Sequence, residues 1–130
     1  MKLSKTSLYA LYGLAYLAAR PRRVVPLSEI RNRWGVPEKH LGKIFGLLVR
    51  AGLVRSRRGA KGGFVLTRPA RTVSVLEVLR VLGEPGIQED CLLGRSHCPS
   101  RTACRLTRAV RRAQECMARE LRAVRLSDLA

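Results

Sequence analysis

Aspartate and glutamate are scarce in this chain of 130 residues: nine of them face 26 lysines and arginines, for a formal net charge of +17. Histidine is scarcer still, with two copies. Such a thin supply of proton-transfer groups offers few places for acid–base catalysis, and no nucleophile–base pair, phosphate loop or zinc-hydrolase motif accompanies it, so the chain is expected not to be an enzyme. Aromatic residues make up only 5%, and most fall at apolar helix positions. That argues against the exposed stacking platforms used to hold single-stranded RNA. No stretch approaches 18 consecutive apolar residues, so no membrane-spanning helix is expected. The opening Met1-Lys2-Leu3-Ser4-Lys5 leads into an apolar run without a clean small-residue cleavage site. It reads as a helix of the mature protein, and a cytoplasmic location follows as the expectation.

What is present is enough apolar material to fold. At 46% hydrophobic and 27% charged residues the chain is no disordered polycation, and its length suits one core but not two independent ones. Residues 20–68 hold 13 bases and only two acids, Glu29 and Glu38. The last thirty residues carry eight arginines against three acids, whereas residues 84–90 hold three acids and no base. Arginine-rich coding could explain 21 arginines beside five lysines, but it does not explain the missing acids. Charge of this density repels itself until a polyanion supplies the counter-charge. DNA, RNA and an anionic membrane could each supply it, and nucleic acid is the expected partner on charge and pattern together.

The periodicities predict a helix from Ser4 or Thr6 to Ala19, apolar on most sides, which must therefore be covered from two directions. Pro21 stops it. Pro26-Leu27-Ser28 opens a short helix, Glu29 to Trp34, ended by Gly35; Pro37 then starts a second helix that runs to about Ala51 with one apolar stripe, Leu41, Ile44, Phe45, Leu48 and Val49. Two short helices around a glycine-containing turn are a helix-turn-helix signature. The period then changes. Leu53–Ser56 and Phe64–Thr67 read as two strands, joined by a tip with three glycines and three bases, which is a wing. Ser74-Val75-Leu76-Glu77 reads as a capping box opening another helix, which ends at Gly83 or Gly86. A loop holding Cys91 and Cys98 precedes a long helix from about Thr102 to Arg125. Its apolar seam, Leu106, Val110, Ala113, Met117, Leu121 and Val124, is narrow and lies among arginines. A seam of this kind packs against its own copy, so a homodimer is expected.

The fold class expected is therefore mainly α with a small β-hairpin wing. Residues 1–83 form the winged helix-turn-helix, 84–104 the cysteine-bearing loop, and 105–130 the dimerisation helix and tail. The second helix of the pair would enter the major groove. Lys39 and Lys43, four apart, project together toward phosphate or guanine, and His40 could meet a base edge or simply face solvent. Ser28, near a helix N-terminus, suits a phosphate. Arg57, Arg58 and Lys61 on the wing would reach the minor groove or the backbone.

Four cysteines remain: Cys91, Cys98, Cys104 and Cys116. Six residues separate the first pair and five the next, wider than zinc-knuckle spacing. Thiols spread along a loop into a helix suit a larger soft-metal unit such as an iron–sulfur cluster, or else a disulfide or redox pair. Cys104, near the start of the long helix, sits where the helix dipole favours thiolate. Cys116 lies 12 residues on, about 18 Å up the helix at about 1.5 Å per residue. It is not expected to share that site and reads as a small residue flanking the core.

Taken together, these features resemble the winged-helix regulators typified by the iron–sulfur cluster regulator IscR and the nitric-oxide-sensing repressor NsrR. The matching residues include Leu3-Ser4-Lys5 with Tyr9-Ala10, Leu27-Ser28-Glu29-Ile30 through Gly35-Val36, and Leu41 to Leu48. They continue through Arg58-Gly59 with Lys61-Gly62-Gly63-Phe64, Val73-Ser74-Val75, the three-cysteine tract with Arg105-Leu106, and Leu126-Ser127-Asp128-Leu129. The resemblance implies a dimeric transcriptional regulator, a repressor by expectation, that binds a pseudo-palindromic DNA operator. It implies that Cys91, Cys98 and Cys104 hold an iron–sulfur cluster, [2Fe-2S] or [4Fe-4S], that senses nitric oxide, redox state or cluster supply. The family's wing arginine falls on Arg58. Two ligand positions of the family depart here: the histidine three residues past the last cysteine is Thr107, and the aspartate in the first helix is Leu8. Glu89, Asp90 and His97 are nearby alternatives for the fourth ligand, and a water or a small thiol is another. A metal-free thiol or disulfide switch on the same scaffold, or an accessory protein bound to a metabolic enzyme, are the alternative functions.

Overall fold

The computed structural model describes residues 2–87 and 104–130. Helix α1 spans Lys5–Ala18, α2 Leu27–Trp34 and α3 Glu38–Arg50; strands β1, Val54–Arg57, and β2, Gly63–Leu66, form the hairpin. Helix α4 is Val75–Val81 and α5 Arg105–Ala123, and short 3-10 turns lie at Ala70–Thr72 and Leu126–Leu129. This is the mainly helical fold with a two-stranded wing that the periodicities imply. The strands sit one residue away from the expected positions, paired antiparallel as Val54 with Leu66 through Arg57 with Gly63.

Local chemistry sets the boundaries. Ser4 caps α1 by accepting a bond from the Ser7 N–H at 3.2 Å, and Ser74 caps α4 by accepting one from the Glu77 N–H at 3.2 Å. Only that half of the expected capping box forms, because the Glu77 carboxylate pairs with Arg68 instead. Gly35, at φ 64°, ends α2 in a left-handed conformation that disfavours most side chains.

Helix α1 lies at the centre, against α2, α3, α4, β2 and the C-terminal turn. Its Leu14 and Leu17 are buried with Ile30 of α2 and Leu41, Ile44, Phe45 and Leu48 of α3. Gly13 is there for space: a β-carbon on it would come within 2.7 Å of the Phe45 ring. Phe45 in turn meets Phe64 of the wing at 4.8 Å between centroids, which fixes the hairpin to the recognition helix.

The second cover that α1 requires comes from the chain's own tail. After α5 the chain returns to the winged domain: the Leu126 N–H donates to Val73 O at 3.0 Å and the Val75 N–H to Val124 O at 2.9 Å. Leu126 is fully buried in the same core. Residues 124–126 are thus part of the first structural unit, although they fall in the third segment that the sequence suggests. Leu121 and Val124, expected on the dimer seam, pack on the winged domain as well. Over the rest of the seam, Leu106 and Ala113 are exposed and Val110 and Met117 half-buried.

Glu84, the first of the three acids in residues 84–90, is not a surface charge. It is 3% exposed, and its carboxylate accepts hydrogen bonds from the Ser4 N–H at 2.9 Å, the Ser4 hydroxyl at 2.7 Å and the Ser7 hydroxyl. The residue that opens the cysteine-bearing segment is therefore fastened to the start of α1.

Candidate nucleic-acid interface

Helix α3 presents two faces. Leu41, Ile44, Phe45 and Leu48 are buried, while Lys39, Gly42, Lys43 and Arg50 are exposed. Positions 39, 43 and 50 repeat at helical spacing, so the three cations form one stripe. Arg50, missed in the sequence reading, follows from the same spacing. Gly42 and Gly46, on that stripe, have no neighbouring atom within 4 Å of a built β-carbon, which leaves the helix backbone open to close approach. His40 is exposed and meets Tyr9 edge-on at 6.2 Å between rings. Leu47, 37% exposed, is an apolar group on this outer side that the apolar-stripe reading had not included.

The acids of the region are spoken for. Glu38 pairs with Arg31 at 3.0 Å and Glu29 with Arg23 at 2.6 Å. The hydrogen bond from Arg23 holds the Glu29 carboxyl below the usual carboxylate range, with Tyr16 assisting. Both carboxylates are thus occupied by arginines, and among the described residues neither Lys39 nor Lys43 has a carboxylate partner. Ser28 is exposed in the first turn of α2, and Arg57, Arg58 and Lys61 are exposed at the end of β1 and on the wing tip. Gly59, at φ 107°, allows that tip to turn. The hairpin is tied to α3 through the Phe45–Phe64 contact, which sets β2 against the helix that carries the stripe.

Trp34 is 41% exposed, away from the apolar helix positions that the sequence reading assigned to most aromatics. One of its faces is covered by Tyr12, stacked at 4.3 Å and 8°, and Arg33 lies over the ring at 5.3 Å. It is a structural stack with one edge in water.

Of the predicted sulfur ligands, Cys104 is described, at the N-cap of α5. Its thiol is pulled below the ordinary range by the Thr107 backbone N–H and hydroxyl, then by the Leu106 N–H and the charge of Arg108. Thr107, which stands where the family has a ligating histidine, is 4% exposed. Cys91 and Cys98 lie outside the described residues, as do Glu89, Asp90 and His97. Among the described residues no three His, Cys, Asp or Glu side chains come together as a metal site. Cys116 is exposed on α5 rather than flanking the core, with the Arg119 guanidinium 3.6 Å from its sulfur. The exposed side of α5 is arginine-rich, so the helix face that carries Cys116 has little to pack against.

A recognition helix with a cationic stripe, a second helix behind it and a basic hairpin beside it define a winged helix-turn-helix regulator. The sequence profile of the Rrf2 family, described as iron-dependent transcriptional regulators, matches residues 3–130, and the chain belongs to that family. It is 35% identical over 130 residues to protein aau3 of Rhizobium meliloti, covering 99% of this chain and 84% of that one. Among solved structures it is similar to CymR, the global cysteine regulator of B. subtilis, at 27% identity and a TM-score of 0.80, covering 100% of this chain and 96% of that one. It is also similar to T. potens IscR, at 26% identity and a TM-score of 0.71, covering 99% of this chain and 85% of that one.

Proposed function

We propose that this regulator is a repressor that grips a pseudo-palindromic operator as a homodimer, through Ser28, Lys39, His40, Lys43, Arg57, Arg58 and Lys61 of each subunit. The observation that carries the reading is the cationic stripe on α3, which among the described residues has no carboxylate partner while the two nearby acids are tied to arginines. Pairing two such units through the exposed part of the α5 seam would set two recognition helices about one helical turn of DNA apart. If each subunit neutralises four or five phosphates, the dimer covers roughly 8–10, and log K should fall against log salt with a slope of about −7 to −9. Fluorescence anisotropy with a labelled operator duplex across a salt series tests this. A flat response would remove the reading.

The regulatory half of the proposal places an iron–sulfur cluster on Cys91, Cys98 and Cys104. The environment of Cys104 suits an anionic sulfur ligand, since two backbone N–H groups and a hydroxyl already favour the thiolate. A bound cluster would supply iron open to redox change and to nitric oxide. The chain's own part is mechanical: α5 begins at Cys104 and its far end is sewn to Val73 and Val75, so a shift at the ligand end tilts the helix against the winged domain. Iron and sulfide analysis on anaerobically purified protein, with an absorption spectrum, tests the cluster; colourless, iron-free protein would remove it and leave DNA binding intact.

A second reading is favoured by the same low-lying thiol and by the similarity to a cysteine regulator. In it, Cys91, Cys98 and Cys104 act as a metal-free redox switch. A reversible disulfide among them, found by mass spectrometry in iron-free protein, selects it.

A further inference from the structure

The outer face of the wing carries a cleft that shares only Arg57 with the DNA-gripping surface, and strand register places it. Val25 bridges Phe64, which pairs with Ser56, and Phe64 turns toward the core at Phe45. Side chains alternate along strands. Val24, Val65 and Arg55 therefore lie side by side on the opposite face. That face opens into a cleft of about 790 Å³, bounded by the end of α1 and by residues 67–71. The size falls within the range of small-molecule sites.

The lining has two kinds of chemistry. Ala18, Val24 and Val65 give it an apolar floor, while Arg22, Arg55, Arg57 and Arg71 stand around it. Arg23, Arg31 and Arg68 each have a carboxylate partner; among the described residues these four have none. Guanidinium groups gathered at one opening repel one another, and an anion would relieve that repulsion. Arg22 adds a separate sign. At φ 66° it is the one non-glycine among the described residues in the left-handed region, the kind of strain that concentrates at ligand clamps.

We propose that this cleft binds a small organic anion, with an apolar ring or chain on the floor and a phosphate or carboxylate held by the arginine forks. A duplex backbone would meet the charge but leave the apolar floor uncovered.

The test uses the intact protein and 1-naphthyl phosphate, followed by calorimetry at fixed ionic strength. Inorganic phosphate and 1-naphthol each supply one half of the chemistry, and 1-naphthoate replaces the phosphate head by a carboxylate. One of the two naphthyl anions should bind saturably, one per chain, at least tenfold more tightly than inorganic phosphate or 1-naphthol. Arg55→Gln/Arg71→Gln should weaken it at least tenfold with an unchanged melting curve, and Arg71→Gln alone should weaken it in the same direction. Lys39→Gln/Lys43→Gln should leave it unchanged. Equal affinity for inorganic phosphate, or equal loss in the Lys39/Lys43 variant, would reduce the effect to net charge, and retained affinity in the Arg55/Arg71 variant would put binding elsewhere; each overturns the proposal.

Discussion

At the scale of single residues, Glu84 and Gly13 show how much of the fold depends on contacts made far along the chain. Glu84 is buried, and burial works against its charge, yet hydrogen bonds from the Ser7 hydroxyl, the Ser4 hydroxyl and the Ser4 N–H outweigh that and hold the carboxyl below the ordinary glutamate range. A carboxyl depressed on folding contributes stability above its unfolded pKa and loses that contribution as pH falls through its folded pKa. Glu84→Gln should therefore be less stable than the parent at pH 7, by about 1–3 kcal/mol given the charged hydrogen bonds lost. The gap should narrow as the pH falls from the ordinary glutamate range through the carboxyl's folded pKa, which paired urea unfolding curves at pH 7 and at acid pH would measure. Gly13→Ala should cost about 1–3 kcal/mol through overpacking, because the added carbon would press on the fully buried Phe45 ring; the urea midpoint reads this directly. Gly42 differs, as open space surrounds it. Gly42→Ala should stabilise the helix by up to about 1 kcal/mol, and if the stripe meets DNA closely the same change should weaken operator binding. Neither the Glu84 bond nor the Gly13 contact is legible in sequence, since their partners lie 77 or more and 32 residues away.

At the scale of elements, local signals and tertiary effects divide cleanly. Helices α1 to α3 follow from apolar spacing, proline stops and Gly35, and the wing follows from a change of period around a glycine-rich tip, so these were legible to within a residue or two. What was not legible is the return of the tail. Leu126 belongs to no periodic run, and only the bonds from residues 124–126 to Val73 and Val75 reveal that it closes the core. Leu126→Ala should destabilise the whole winged domain by about 2–5 kcal/mol, visible as a lower thermal midpoint with the transition still single. The candidate interface was legible in the same partial way. Lys39, Lys43 and the wing bases could be named from pattern, because a cation on the solvent side of an amphipathic helix needs no distant partner to stay there. Arg22, Arg55 and Arg71 could not be grouped, because strand register and a turn after α1 bring them together.

At the scale of the whole molecule, the charge of +17 and the seam on α5 make one joint prediction. Met117 is half-buried and Val110 equally so on a helix whose sole buried residue is Thr107, leaving apolar surface for a second copy. Met117→Glu or Val110→Asp should shift the protein to monomer in sedimentation without unfolding the winged domain. Operator affinity should drop by well over tenfold, and the salt slope should fall toward half its dimeric value as half the phosphate contacts go. A dimer also makes the melting temperature rise with protein concentration, which the two variants should abolish. The docked tail has one more consequence, for synthesis. Domains form during translation from the N-terminal end onward, but this one lacks a core side chain until residue 126 has been made. A nascent polypeptide cannot finish its winged domain before the cysteine tract has left the ribosome, so prematurely terminated chains would not accumulate as folded DNA-binding fragments that lack the tract.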